Sequence, residues 1–312
     1  MILITGCAGF IGSHLTEFLL KKGFEVIGVD NVNDYYDIEI KKTNLNILHK
    51  YINFKFYEED TCNTKLIDKY EPKIVVHLAS LAGVRNSISN VVEYANNNII
   101  SQINLLEQCR KNNVEKFIYA SSSSVYGLNT EVPFKESDII EKQNSPYATT
   151  KLCLENYANL YNTLYNVKTI GLRFFTVYGP KGRPDMAPYM FLKSIMTNTK
   201  FKKYGDGFSY RDYTYISDII DGIFGVIKTD SDKLSKIYNL GNSSPIKLNK
   251  FIEICEKVTK KNAIYDIISK QQGDVPHTYA DISLAKKDLN YNPKVSLEEG
   301  LTHTYRWLSS NL

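Results

Sequence analysis

Short apolar runs alternate with amphipathic stretches along the first half of the chain. Runs at 2–5, 25–29, 52–56, 74–77, 116–120 and 169–173 are too short for helices and carry Ile, Val, Leu and Phe, the pattern of buried strands. Apolar residues recur at helical spacing in most of the gaps, most clearly at 12–22, 92–111 and 147–165. Strands alternating with helices predict a parallel sheet covered on both faces, with right-handed crossovers. The rhythm breaks after residue 173. Gly179-Pro180-Lys181-Gly182-Arg183-Pro184-Asp185 is a loop by its Gly and Pro content, and smaller elements follow, with Pro276 and Pro293 in turns. The predicted fold is therefore α/β, a Rossmann-type doubly wound parallel sheet with a smaller C-terminal α/β substrate lobe. The division expected is 1–174 for the dinucleotide-binding domain, joined by about 212–244, with 175–211 and 245–312 forming the lobe.

The first predicted strand runs into Thr5-Gly6-Cys7-Ala8-Gly9-Phe10-Ile11-Gly12-Ser13-His14. Gly6 permits a tight turn, Gly9 lets backbone approach a pyrophosphate, and Gly12 lets the following helix pack against the strand. The helix N-terminus then presents free N–H groups to phosphate. A glycine triplet alone is weak evidence, but here a strand precedes it, a helix follows, and Asp30 closes the second strand at close to the usual interval of about 20 residues. An acid there would bond ribose hydroxyls and repel a 2′-phosphate, and Asn31-Val32-Asn33 offers no arginine, which favours NAD over NADP. Asp60, after the third strand, either reads an adenine amino group or is a solvated loop acid. His77 ends the fourth strand and reads as structural.

Tyr147 and Lys151 form a Tyr-x-x-x-Lys pair on one helical face. Tyrosine titrates near about 10 and is a poor base at neutral pH, so a lysine ammonium and a nicotinamide charge are expected to favour its phenolate. The pair alone arises by chance in many proteins. Upstream, however, the fifth strand ends in Ala120-Ser121-Ser122-Ser123-Ser124-Val125-Tyr126-Gly127, and open parallel sheets bind ligands at the carboxyl ends of their strands. Those hydroxyls suit a sugar oxygen whose proton Tyr147 removes.

Composition narrows the partners. Net charge is +4 without a long basic run, which gives nucleic acid binding little support. Five widely spaced cysteines with no Cys-x-x-Cys imply free thiols and no metal site. No apolar stretch reaches the ~20 residues needed to span a membrane, and the first strand starts near residue 1 with no leader, so the expected location is cytoplasmic.

Together these residues resemble the extended short-chain dehydrogenase/reductase family, in its sugar-nucleotide epimerase branch, over nearly the whole chain. The marks are TGCAGFIG at 5–12, HLASLAGVR at 77–85, ASSSSVYG at 120–127, SPYATTK at 145–151, LRFFTVYGPKGRPDMA at 172–187, RDYTYISD at 211–218 and GDVPHTYADIS at 273–283. The chain is most similar to the UDP-glucuronate 4-epimerases. The resemblance implies Ser122, Tyr147 and Lys151 as the catalytic set. It implies that Gly6, Gly9, Phe10, Ile11, Gly12, Asp30, Asn31, Asp60, Leu78, Ala79, Asn98, Tyr147, Lys151 and Phe174 line NAD. It further implies that Thr176, Arg211, Gln271 and Asp274 hold UDP. The implied activity is oxidation at sugar carbon 4, rotation of the 4-keto sugar, and reduction on its other face, with NAD retained between turnovers. A homodimer through a four-helix bundle of the helices at 92–111 and 147–165 is implied as well.

Sugar-nucleotide dehydratases and decarboxylases of this branch carry acids before the Val-Tyr-Gly, whereas this chain has Ser123 and Ser124. Water elimination is therefore disfavoured. The 4-keto form of a uronic acid is prone to lose carbon dioxide, and Ser123, Ser124, Thr176 and Arg183 are candidates to hold the carboxylate. Arg183 could equally be a structural loop arginine. Ser80, Leu81 and Leu152-Cys153 depart from the subgroup pattern. A UDP-glucose or UDP-N-acetylglucosamine 4-epimerase thus stays open as the alternative. A dehydratase, a decarboxylase and a non-catalytic NAD-binding relative stand behind it, the last opposed by the intact Tyr-Lys-Ser set.

Overall fold

The computed structural model describes residues 1–140, 142–234, 236–269, 275 and 277–311. In chain order the strands are β1 Ile2–Thr5, β2 Val26–Asp30, β3 Phe54–Glu58, β4 Ile74–His77, β5 Lys116–Ser122, β6 Thr169–Phe174, β7 Thr176–Tyr178, β8 Phe201–Tyr204, β9 Tyr210–Tyr215, β10 Ile237–Leu240, β11 Pro245–Lys247, β12 Tyr265–Ile268 and β13 His277–Thr278. The helices are α1 Phe10–Lys21, α2 Ile38–Leu48, α3 Leu66–Tyr70, α4 Val84–Ser89, α5 Val91–Tyr94, α6 Ser101–Lys111, α7 Pro146–Tyr165, α8 Ala187–Met196, α9 Ile216–Lys228, α10 Leu248–Thr259, α11 Ser283–Leu289 and α12 Leu297–Asn311.

Seven strands form one parallel sheet in the order β10-β6-β5-β4-β1-β2-β3. Successive side chains of a strand point to opposite faces, and here both faces are apolar. Ile2, Ile4, Val76, Ile118 and Ile170 pack with Leu15 and Leu19 of α1, Leu45 of α2 and Ile219 and Ile223 of α9. Leu3, Ile27, Val75, Phe117 and Tyr119 pack with Ile67 of α3, Leu105 of α6 and Leu154 and Ala158 of α7. The strand order reverses between β1 and β4, so the loops leaving these strands part and open a crevice at their carboxyl ends.

A second core lies beyond β6. Strand β9 pairs with β7 and β13 in parallel and with β11 antiparallel, while β8 pairs with β12. Tyr178, Leu192, Phe201, Tyr213, Phe251 and Leu301 fill the core between these strands and α8, α10 and α12. Stacked rings set its spacing, Phe191 on Phe201 at 4.4 Å and Tyr213 on Phe251 at 4.5 Å.

The structure moves some predicted boundaries. β3 starts at Phe54 because the chain is still turning at Tyr51, whose carbonyl accepts from the Phe54 N–H, and Ile52 is left in solvent. The periodic stretch at 92–111 is interrupted by a π-helical turn at Ala95–Ile100. That wider turn carries Asn98, fully buried, whose amide bonds both the N–H and the C=O of Leu81. The segment read as 212–244 contributes β10 to the large sheet, but its first residues belong to β9 in the smaller one. No helix among the described residues is long and apolar enough to cross a membrane.

A buried histidine, His77, and a half-buried one, His14, give the fold a definable acid sensitivity. Burial pushes His77 down to about 3, where its Nδ1 faces the Thr5 hydroxyl at 2.8 Å, and pushes His14 down to about 4, where its ring nitrogen faces the Pro180 carbonyl at 2.9 Å. The unfolded chain takes up these protons below about 6.5, so folding stability falls as pH drops from there toward the folded values. Each ring adds ~1.4 kcal/mol per pH unit inside that window. Denaturant titrations of wild type and His77→Asn between pH 6.5 and 4 should show a shallower decline for the variant. Parallel declines would contradict the assignment.

Candidate active site

The crevice at the strand ends widens into a cleft of about 1100 Å³ that runs from the β1–α1 turn to β9. One wall is the glycine turn. Gly6 sits at φ +70, where an added Cβ would lie 2.7 Å from the Ala79 amide nitrogen. A Cβ on Gly12 would lie 2.0 Å from the Gly6 carbonyl oxygen, so α1 reaches the turn only without a side chain there. His77 and Thr5 lock this wall from below. The Thr5 hydroxyl accepts from the Leu78 and Ala79 amides and bonds the His77 ring, tying the end of β1 to the end of β4. This is the structural role read for His77.

Asp30 ends β2 with its carboxylate over the turn, accepting from Ala8 N at 3.1 Å and Val32 N at 2.9 Å. Lys41 of α2 reaches it, 3.7 Å from Oδ1, and bonds Asn33 at 2.7 Å. Lys41, Tyr35 and Tyr36 also line the cleft. None of them carries a signal in the sequence, since a lone helical lysine reads as solvated and a loop tyrosine as neutral. Only the fold of 31–41 back over the turn brings them in. Asn31, Phe10, Ile11, Leu78, Ala79 and Phe174 line the same wall. Asp60 and Asn98 do not. Asp60 accepts from its own loop at Cys62 N, and its neighbours Glu59 and Thr61 line the cleft instead. Asn98 is turned behind the wall, where it braces Leu81, Ser80 and Thr150, while Asn97 faces the cleft.

The opposite wall is α7. Ser145 caps it by accepting from Ala148 N, and Pro146 occupies its first turn, where no N–H is needed. Ser87 of α4 accepts the Tyr147 N–H at 3.1 Å. The Tyr147 phenol then meets the Ser122 hydroxyl, and Lys151 donates to the Ala120 carbonyl at 2.8 Å. So Ser122, Tyr147 and Lys151 converge at the end of β5. Both titrating groups are buried. Burial pushes the phenol above its ordinary value, with the Ser122 hydrogen bond and the Arg183 charge acting the other way. Burial drives Lys151 down to about 7. The chain's own residues therefore do not lower Tyr147 as the sequence suggests, because burial outweighs them.

Hydroxyls and a cation surround these three residues. Ser123 and Ser124 follow in a single 3₁₀ turn, and Ser122 accepts from the Ser124 N–H at 3.1 Å. Thr176 at the start of β7 and Arg183 from the glycine–proline loop line the same cleft. Arg183 pairs with Asp185 at 2.6 Å and donates to the Ala82 carbonyl at 2.9 Å, so it also ties its loop to the 82–83 backbone. Arg211 of β9 lines the far end. Gln271 and Asp274 lie outside the described residues. No group of acids, histidines and cysteines able to hold a metal occurs among those described.

The comparisons agree with this geometry. The family model described as GDP-mannose 4,6 dehydratase matches residues 3–304. The chain is 45% identical to an uncharacterised protein of Methanocaldococcus jannaschii, covering 99% of this chain and 96% of that one. It is 43% identical to the UDP-glucuronate 4-epimerase of Thermodesulfobacterium geofontis, again covering 99% and 96%. Its structure matches that of a Bacillus cereus UDP-glucuronic acid 4-epimerase, crystallised with UDP-glucuronic acid and NAD, at TM-score 0.95 and 35% identity over 100% and 99% of the two chains.

The Asp30–Lys41 pair makes a prediction about cofactor choice. Lys41→Met should weaken retention of a dinucleotide about tenfold, a loss of ~1.4 kcal/mol typical of one polar contact to a bound group. Titration of the stripped protein with NAD, followed by fluorescence, measures it. Unchanged affinity would place Lys41 outside the cofactor site.

Proposed function

The chain belongs to the GDP-mannose 4,6 dehydratase-like family of extended short-chain dehydrogenases/reductases, and from that premise we propose that it is an NAD-dependent UDP-glucuronate 4-epimerase. The observation that carries the reading is the convergence of Ser122, Tyr147 and Lys151 at the end of β5, in one cleft with the glycine turn and Asp30. The turn fits a dinucleotide, since a side chain at Gly6 or Gly12 would collide with the backbone that forms the cradle. Gly6, Gly9, Gly12, Asp30 and Lys41 would hold NAD, which when bound supplies the hydride acceptor and donor. No acid stands in the 122–126 turn, so this member of a dehydratase-named family lacks the group that would expel water.

The chain's residues then act as follows. Arg211 holds the diphosphate end and leaves the sugar at Ser122 and Tyr147. Tyr147 removes the C4 hydroxyl proton, Lys151 holds the phenolate by charge, and Ser122 orients the same oxygen. The 4-keto sugar turns over in the cleft and presents its other face for reduction, and Tyr147 returns the proton to the carbon 4 oxygen. Ser123, Ser124 and Thr176 offer neutral donors to the C5 carboxylate, with Arg183 at its side. Keeping that carboxylate hydrogen-bonded and out of line with the carbonyl slows loss of carbon dioxide. The division into a dinucleotide domain and a substrate lobe, with 1–174 joined by about 212–244, is part of the same proposal.

The proposal includes a homodimer in the cytoplasm. Tyr157, Leu160, Leu164 and Tyr165 of α7 form an exposed apolar stripe, and Ile88, Val91, Val92 and Ile100 form another beside it. Two such helices from each of two copies would bury both stripes as a four-helix bundle. The five free cysteines suit a reducing compartment.

Purified protein incubated with UDP-glucuronate should yield UDP-galacturonate without added NAD, and Tyr147→Phe should lose about a thousandfold or more in turnover. Turnover of UDP-glucose or UDP-N-acetylglucosamine but not of UDP-glucuronate would shift the assignment to the neutral sugars, and a UDP-pentose product would refute protection of the keto acid. Leu160→Lys combined with Leu164→Lys should convert a dimer to a monomer in light scattering. A monomeric wild type would remove the bundle.

A further inference from the structure

Helix α7 carries a further charged residue on the face of Tyr147 and Lys151. Glu155 follows Lys151 by four residues, which puts the two on neighbouring turns of one helical face, in the lysine-first order that is the weaker of the two for pairing. It does not pair with Lys151. Arg173 of β6 takes both of its oxygens, Nε to Oε1 at 2.9 Å and Nη2 to Oε2 at 2.8 Å. Ser121 adds a hydrogen bond to Oε1 at 2.6 Å. The ion pair is almost wholly enclosed, with 4% of the arginine side chain and 8% of the glutamate exposed. The guanidinium stacks over the Tyr126 ring at 4.8 Å, and the Tyr126 hydroxyl donates to Asn239 of β10 at 2.7 Å. Arg173 is thereby held by α7 and by the 3₁₀ turn that carries Tyr126.

The contacts at the end of β5 fall in an ordered set. Lys151 donates to Ala120, Glu155 accepts from Ser121, and Tyr147 meets Ser122. An unpaired Glu155 would be a buried charge one helical turn from the Lys151 ammonium, and a buried acid that loses its partner must find another or take up a proton. Pairing would draw the ammonium back along α7, away from Ala120 and Tyr147.

We propose that Arg173 is a positioning residue for the lysine of the active site, holding Glu155 in a bidentate pair so that the acid does not capture Lys151. The inference rests on the reading of Tyr147 and Lys151 given above. A purely structural ion pair would suffer alike from loss of either partner, whereas here turnover should fall far more on loss of the arginine than on loss of the glutamate.

The test compares Arg173→Met, Glu155→Gln and the double variant, each with wild type, for turnover of UDP-glucuronate, thermal unfolding and bound dinucleotide. Glu155→Gln keeps a partner for Ser121 and should lose less than about tenfold in kcat. Arg173→Met should lose about a hundredfold or more in kcat with KM within about threefold, because the nucleotide end of the cleft is untouched. The double variant should recover to within about tenfold of wild type. A folded double variant as poor as Arg173→Met, or an Arg173→Met enzyme with wild-type kcat, overturns the proposal. If Arg173→Met does not fold, the double variant decides alone, since a folded double variant that loses a hundredfold overturns it and one near wild type supports it. Tyr147→Phe run in parallel separates the two readings, because full turnover in that variant would remove the base assignment on which this inference rests.

Discussion

Lys151 places an ammonium group in an interior position, only 2% exposed, with the Ala120 carbonyl as its hydrogen-bond partner at 2.8 Å. A buried charge is costly unless its partners are fixed, and here they are fixed by the seating of α7 against the end of β5. Everything the cleft does chemically depends on that seating. It sets the phenol of Tyr147 against Ser122, and it makes the proton inventory of the site responsive to what binds. Burial raises the phenol and lowers the ammonium toward about 7, and a positive charge brought beside the phenol by a bound cofactor would act in the opposite sense.

The same logic extends through the strand ends. Thr5 and His77 tie β1 to β4 below the glycine turn, and Asn98 ties the 80–82 backbone to Thr150, the neighbour of Lys151. These buried hydrogen bonds link the dinucleotide wall to the catalytic wall without any side chain entering the cleft. The parallel sheet supplies the rigid frame and its carboxyl edge supplies the site, while the second core brings Thr176, Arg183 and Arg211 over the top.

Much of this was legible from the residues. Strands buried on both faces read as short apolar runs, and glycines that meet backbone have no substitute, so the sheet and the turn were visible. Tyr147, Lys151 and Ser122–124 were visible because spacing and strand end coincide. Asp60 and Asn98 were placed on the cleft by resemblance. The structure turns the first into its own loop and the second behind the wall, because a π-helical turn rotates Asn98 inward and periodicity cannot register that extra residue. Lys41 and Tyr35 were silent, since their approach depends on a loop folding back over Asp30. Arg173 and Glu155 were silent for a different reason. A charged residue in an apolar strand shows its partner only once the helix is packed on the sheet.

The central claim is that carbon 4 is oxidised and then reduced within one closed site. Converting UDP-glucuronate deuterated at carbon 4, in ordinary water and without added NAD, tests it most directly. The account predicts UDP-galacturonate that keeps its deuterium at carbon 4. A product in which that position has exchanged with solvent, or no product at all, would contradict it.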